Sequence, residues 1–204
     1  MGNGEHAKRE SKAAIDLLRK LLKAGFDEKL AIRTVNSTLL LRSTEEMFTT
    51  LDMALIDLFT ANTEFLKIGS APSFIKRGTL VQTITGSNVP IGILQDIEVQ
   101  SIEEQLRDGD ILIMMSDGVY DAPRQLHEKE EWLKKQIEKL ETTVPQEIAD
   151  TLLEMAVRTN QGEILDDMTV VVAKISSEEP QWATIKLPGV NGLRKKPENK
   201  KRGA

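Results

Sequence analysis

An α+β fold with mostly antiparallel strands is predicted by three features of the 204-residue sequence. Two amphipathic helical segments open the chain. A run of short apolar segments with turn signals between them follows. Two more helical segments then precede a last apolar strand. Strands in runs and helices in pairs lack the alternating strand–helix rhythm of a parallel sheet.

Each element has its own signal. Over residues 5–24, Ile15, Leu18 and Leu22 recur at helical spacing beside Ala14, Leu17 and Leu21, and Gly25 suits the stop. Asp27 can cap a second helix with Ala31, Val35 and Leu39 along one face. Residues 48–58 are apolar on both parities and predict a buried strand. Strands over 63–69 and 73–84 follow, with turn chemistry at Ala61-Asn62 and Arg77-Gly78. Residues 86–92 form a loop. Ile97, Val99 and Ile102 alternate with polar residues, the pattern of a half-exposed strand. The turn Arg107–Asp110 leads into Ile111-Leu-Ile-Met-Met115, a continuous apolar run suited to a central strand. Residues 128–140 and 145–159 have helical periodicity, with Pro145 at a first helical position. Residues 168–175 close the ordered part as a strand. The ordered domain is expected over 1–175. Residues 176–204, where Lys186, Arg194, Lys195, Lys196, Lys200, Lys201 and Arg202 face Glu198 alone from 186 onward, are expected to be a basic tail with little fixed structure.

Composition removes several classes of function. With 27 basic and 32 acidic side chains the net charge is −5, so there is no general attraction for nucleic acid. No segment approaches the ~20 apolar residues of a membrane helix, and the first residues carry no apolar signal-peptide core. The absence of cysteine excludes disulfides, thiolate catalysis and cysteine-ligated metal. His6 and His127 are the only histidines, so any metal must be held by oxygen, which favours magnesium, manganese or calcium.

Three places could carry chemistry. Ser116-Asp117-Gly118 follows the apolar run, so Asp117 stands at a strand end. Gly118 permits a sharp exit and a close approach of backbone to a ligand. The plain alternative is an Asp-Gly turn. Asp166-Asp167 precedes the last strand, and adjacent carboxylates repel unless a cation or donors offset them. Alone, that pair also suits a solvated lead-in. If the two strands are antiparallel neighbours, both sites share one end of the sheet and read as a hard-cation site. The third place is Met1-Gly2-Asn3-Gly4, whose backbone N–H groups could face an anion ahead of the first helix. Ser70 has no histidine placed to activate it, and His127 sits in a charged, surface-like helix start.

Five motifs in order carry a family resemblance. They are Met1-Gly2-Asn3-Gly4-Glu5, Lys67-Ile-Gly-Ser-Ala-Pro72, Pro90-Ile-Gly92, Gly109-Asp-Ile-Leu-Ile-Met-Met-Ser-Asp-Gly118 and Asp166-Asp-Met-Thr-Val-Val-Val172. Together they resemble the metal-dependent PP2C-like serine/threonine phosphatases of bacteria, and within them the sporulation branch. The resemblance implies a β-sandwich of mostly antiparallel strands flanked by helices. It also implies two Mn2+ or Mg2+ ions and hydrolysis of a phosphoserine protein without a covalent phosphoenzyme. Asp117 and Asp166 then match metal ligands. Gly118 and Asp167 match supporting positions, and Gly2, Asn3 and Gly4 match the rest of a metal-binding loop. The family's bridging aspartate and its earliest strands are expected ahead of Met1, outside this sequence, so the metal centre would be incomplete within it. The branch implies an anti-sigma-factor antagonist as substrate and a cytoplasmic domain whose full-length protein is membrane-anchored elsewhere. A stress-response phosphatase with another phosphoprotein substrate is one alternative. A non-catalytic dimerisation or docking module is the other, with helices 5–40 as the self-contact.

Overall fold

The structure is a computed structural model, and it describes residues 5–42 and 48–177. Helices α1 (Glu5–Lys23) and α2 (Glu28–Arg42) come first. Gly25 joins them at φ 82°, a conformation that favours glycine. Asp27 caps α2 as the sequence predicts, its Oδ1 accepting the Leu30 N–H at 3.0 Å. Two antiparallel sheets follow. One is ordered β1 (Leu51–Ile56), β2 (Asn62–Ile68), β5 (Ser101–Gln105). The other is ordered β4 (Leu80–Ile84), β3 (Ser73–Arg77), β6 (Ile111–Met115), β7 (Val170–Lys174). A one-turn helix α3 (Asp117–Tyr120), then α4 (Lys129–Glu138) and α5 (Pro145–Thr159), lie between β6 and β7 in sequence.

Side-chain alternation along the strands builds four layers. Leu66 and Ile68 of β2 join Leu51, Ala14, Leu18, Ile32 and Val35 in a core beneath α1 and α2. Phe65, on the opposite face of β2, meets Ile75, Ile84 and Leu112 between the sheets. Phe74, Ile111, Ile113 and Met115 turn outward to Leu133, Ile137, Ile148 and Leu152 of α4 and α5. The sandwich flanked by helices is therefore present, with β6 in the interior of its sheet as its unbroken apolar run predicts. Pro145 opens α5 behind Val144, also as expected.

Two sequence readings are corrected, and one plain alternative is set aside. The strand predicted over 48–58 is shorter, and among the described residues it stands at a sheet edge and is mostly half-buried. Its apolar residues fall on both parities because one face meets the helices and the other meets the second sheet. Ile97 and Val99 are buried but lie outside any strand, in an irregular segment under the helix layer. Only residues 101–105 pair there. The side chain of Asn36 in α2 holds the preceding loop: it donates to the Leu94 and Gln95 carbonyls at 2.9 and 3.2 Å and accepts from Gly92 N–H at 2.8 Å. Finally, Asp117-Gly118 opens a helical turn rather than making a bare Asp-Gly turn. Residues Gly2, Asn3 and Gly4, and the basic segment from 178 onward, lie outside the described residues.

Candidate metal centre

β6 and β7 are antiparallel neighbours, with Met115 opposite Val170. The chain leaving β6 and the chain approaching β7 therefore meet at one end of the sheet, which brings Asp117 and Asp166-Asp167 to the same end. Ser116 ties the two segments. Its N–H donates to the Thr169 carbonyl at 3.0 Å, its Oγ donates to the Asp167 carbonyl at 2.9 Å, and the same Oγ accepts the Thr169 N–H at 2.9 Å. That role of Ser116 was not read from the sequence, because a serine after a strand has no special signal.

Gly118 explains the closeness of the contact. A Cβ there would stand 2.4 Å from the Asp167 carbonyl oxygen and 3.4 Å from the Asp166 carbonyl carbon. The space that a side chain needs is thus filled by the chain's own backbone, and not left for a ligand as the sequence reading expected. Asp117 is half-buried, and its Oδ1 accepts the Gly118 N–H at 3.0 Å. Asp166 is exposed and accepts the Asp167 N–H on Oδ1 at 2.8 Å. Asp167 is exposed as well. His127 is a surface residue, as expected. The buried Oγ of Ser70 has no hydrogen-bond partner among the described residues.

The same end of the sandwich holds a group the sequence reading missed. Lys67 of β2 is 1% exposed, between the sheets. Its Nζ donates to Asp52 Oδ2 at 2.7 Å, to Ser73 Oγ at 2.8 Å and to the Ala71 carbonyl. Ser73 in turn donates to Asp52 Oδ2 at 3.0 Å. Burial holds the Lys67 ammonium below its ordinary pKa, and Asp52 offsets part of that. One signal was available: Lys67 is the charged residue inside the apolar run Phe65-Leu66-Lys67-Ile68.

The donor chemistry at Asp117 and Asp166 fits a hard divalent cation, being oxygen only. Among the described residues no group of three or more acidic or histidine side chains comes together.

The helix–sheet–sheet–helix sandwich falls, by its likeness to solved structures, in the class of PP2C-type serine/threonine phosphatase domains. The solved PP2C phosphatase domain of SpoIIE from Bacillus subtilis, determined with a fragment of its regulatory domain, superposes with a TM-score of 0.79 at 51% identity. The match covers 86% of this chain and 52% of that one. A manganese-presoaked phosphatase domain from the same protein gives a TM-score of 0.64 at 48% identity, over 83% of this chain and 76% of that one. The chain belongs to the family described as Stage II sporulation protein E (SpoIIE), whose sequence model matches residues 1–176. Stage II sporulation protein E of Bacillus subtilis (strain 168) is 50% identical over 190 residues, which are 93% of this chain but 23% of the relative. The chain thus spans about a quarter of that relative's length.

Proposed function

We propose that this chain is the metal-dependent catalytic part of a protein serine phosphatase. The observation that supports it is the joining of Asp117-Gly118 to Asp166-Asp167 by Ser116 and by the Gly118–Asp167 backbone contact. Asp117 and Asp166 would hold Mn2+ or Mg2+, with further ligands from outside the described residues. When bound, such ions supply charge neutralisation and Lewis-acid polarisation to a phosphoryl group. Asp117 sits at the end of a central strand and Asp166 is held through Asp167 and Thr169, so the protein contributes fixed carboxylate positions. Gly118 keeps that spacing short.

The substrate we infer is a phosphoserine protein, specifically an anti-sigma-factor antagonist. The family membership and the 50% identity to Stage II sporulation protein E support that assignment. Its product would release a sporulation sigma factor. We further propose that this is a cytoplasmic domain anchored to the membrane by another part of the full-length protein; no helix among the described residues is long and apolar enough to cross a membrane. The basic segment 176–204 would be a tail beyond the domain. Self-association would run through helices 5–40, where a groove of about 430 Å³ is lined by Ile15, Leu18, Arg19, Leu22 and Lys23. Leu21 and Leu40 are half-buried, whereas Ile15, Leu30 and Leu41 are the exposed apolar positions of these helices.

The test is Asp117→Asn and Asp166→Asn in the full-length protein. Each keeps the side-chain size and removes the charge that holds the cation. Expected is a loss of Mn2+-dependent phosphate release of at least a hundredfold, with an unchanged unfolding midpoint. Near-normal turnover in both would remove these residues from the metal site. Absence of metal-dependent release in the unmodified protein would favour a docking module. A comparison of several phosphoproteins as substrates separates the sporulation reading from a stress-response one.

A further inference from the structure

The cluster of buried Lys67 and Ser73 with half-buried Asp52 spans the two sheets at the end that carries Asp117 and Asp166. Asp52 and Lys67 are direct cross-strand partners in the β1–β2–β5 sheet. Ser73 begins β3 of the other sheet. There Phe74 pairs with Ile113, and Met114 of β6 pairs with Val171 of β7. Ser73 is therefore level with Met114, two residues before Ser116. No strand pairing joins the two sheets among the described residues, so their relative position at this end rests on packing, on the short 69–72 connection from β2 to β3 and on these polar contacts.

Stability alone does not account for the cluster. The neighbouring inter-sheet core is apolar: Phe65, Ile75, Ile84 and Leu112. A buried ion pair replaced by apolar side chains of similar volume is often neutral or stabilising. Here the pair is also incompletely satisfied, because Asp52 Oδ1 is buried with no hydrogen-bond partner among the described residues. What the cluster adds is direction. The three Lys67 donors are all engaged, by β1, by the 69–72 loop and by β3, and Ser73 closes the triangle to Asp52. Such a three-point grip sets an angle and a spacing between sheets, which nondirectional packing does not.

We propose that Lys67, Asp52 and Ser73 are positioning residues for the metal centre: they hold the first sheet and the 69–72 loop against the sheet end that carries Asp117 and Asp166. The inference rests on the metal-dependent reading above. It is tested in the full-length protein with three variants: the apolar pair Asp52→Leu/Lys67→Met, the single change Ser73→Ala, and the far-end pair Arg77→Met/Asp110→Leu as a control of location. Mn2+ alone is titrated by calorimetry, kcat and KM are measured on a phosphoserine protein, and unfolding midpoints are recorded. Expected for Asp52→Leu/Lys67→Met is an unfolding midpoint at or above that of the unmodified protein. Its Mn2+ affinity should be at least fivefold weaker, and kcat should fall while KM for the phosphoprotein stays within twofold. Ser73→Ala should weaken Mn2+ about twofold or more, and the far-end pair should leave Mn2+ affinity unchanged. Unaltered Mn2+ affinity in the folded site-end variants overturns the proposal. So does an equal loss in the far-end pair, which would mean general loosening. Should the double variant not fold, Ser73→Ala decides by the same criterion. Failure of the unmodified protein to bind Mn2+ would instead refute the metal-dependent reading itself.

Discussion

The two ends of the sandwich each carry an ion pair with one buried partner, Lys67 at one end and Asp110 at the other, and the pairs are built differently. At the end away from the aspartates, Arg77 grips Asp110 with two bonds, Nε to Oδ1 at 2.8 Å and an Nη to Oδ2 at 2.6 Å. The Arg107 N–H adds a third at 2.8 Å, and Arg77 also reaches the Gln105 carbonyl at 3.2 Å. Both Asp110 oxygens are satisfied. At the aspartate-bearing end, Lys67 binds one oxygen of Asp52 and the other oxygen has no partner among the described residues. A buried acceptor left unsatisfied costs roughly 1–3 kcal/mol. The far end is thus fastened at full strength, whereas the end where the chemistry is proposed retains an incompletely satisfied polar network. Strained or imperfectly paired groups are tolerated where position matters more than stability.

Breaking the far-end pair should give the largest effect. Arg77→Ala leaves the Asp110 carboxylate 1% exposed without its cation. The expected loss is about 3 kcal/mol, read as a lower urea midpoint with little change in Mn2+ affinity. An equal loss of metal affinity would erase the distinction between the two ends.

Gly118→Ala comes next. Its Cβ would meet the Asp167 carbonyl at 2.4 Å, and that neighbour is backbone, which cannot rotate away. We expect a stability loss of about 2 kcal/mol. A shift of about 1 Å in the Asp166-Asp167 segment can also reduce turnover roughly a hundredfold. Turnover on a phosphoserine protein and chemical denaturation measure the two separately. Unchanged turnover would show that the contact at this end does not govern the site.

The smallest effect is the pH dependence, and it divides between the ends. Burial by itself raises the Asp110 carboxyl, but the Arg77 hydrogen bonds, the Arg107 N–H and their positive charge outweigh it and leave the group below its ordinary 3.8. Its stabilisation is present above pH 3.8 and is lost as pH falls through the lower folded value. Lys67 lies below its ordinary 10.5 because of burial. The unfolded chain then holds that proton longer, so stability rises with pH up to about 10.5 in this one contribution. Asp110→Asn should flatten the acid limb of the stability profile, and Lys67→Met should flatten the alkaline contribution. Exchange of the two assignments would break the comparison.

Much of the architecture was legible because periodicity reports burial. The α1 and α2 stripes, the unbroken 111–115 run and the Pro145 start each depend on local geometry, and each was found where it was expected. Ile97 and Val99 misled for the same reason: alternation reports which side chains are buried, not whether the backbone pairs. Their burial is supplied by the helix layer, and the Asn36 bonds that hold the neighbouring loop come from a residue 58 positions from one partner.

At the candidate site, the sequence alone determined the oxygen-only chemistry, through the absence of cysteine and the scarcity of histidine, and it marked Asp117, Gly118, Asp166 and Asp167 through their places at strand ends. Only the tertiary structure decided what stands beside them. The Ser116 bridge joins residues 51 and 53 positions apart, Lys67 reaches back to Asp52 and forward to Ser73, and Gly118 is required by the backbone of Asp167. The physical reason is that composition and periodicity constrain each segment separately. Strand register and sheet packing choose which segments meet, and with them the hydrogen-bond partners that fix a side chain in place.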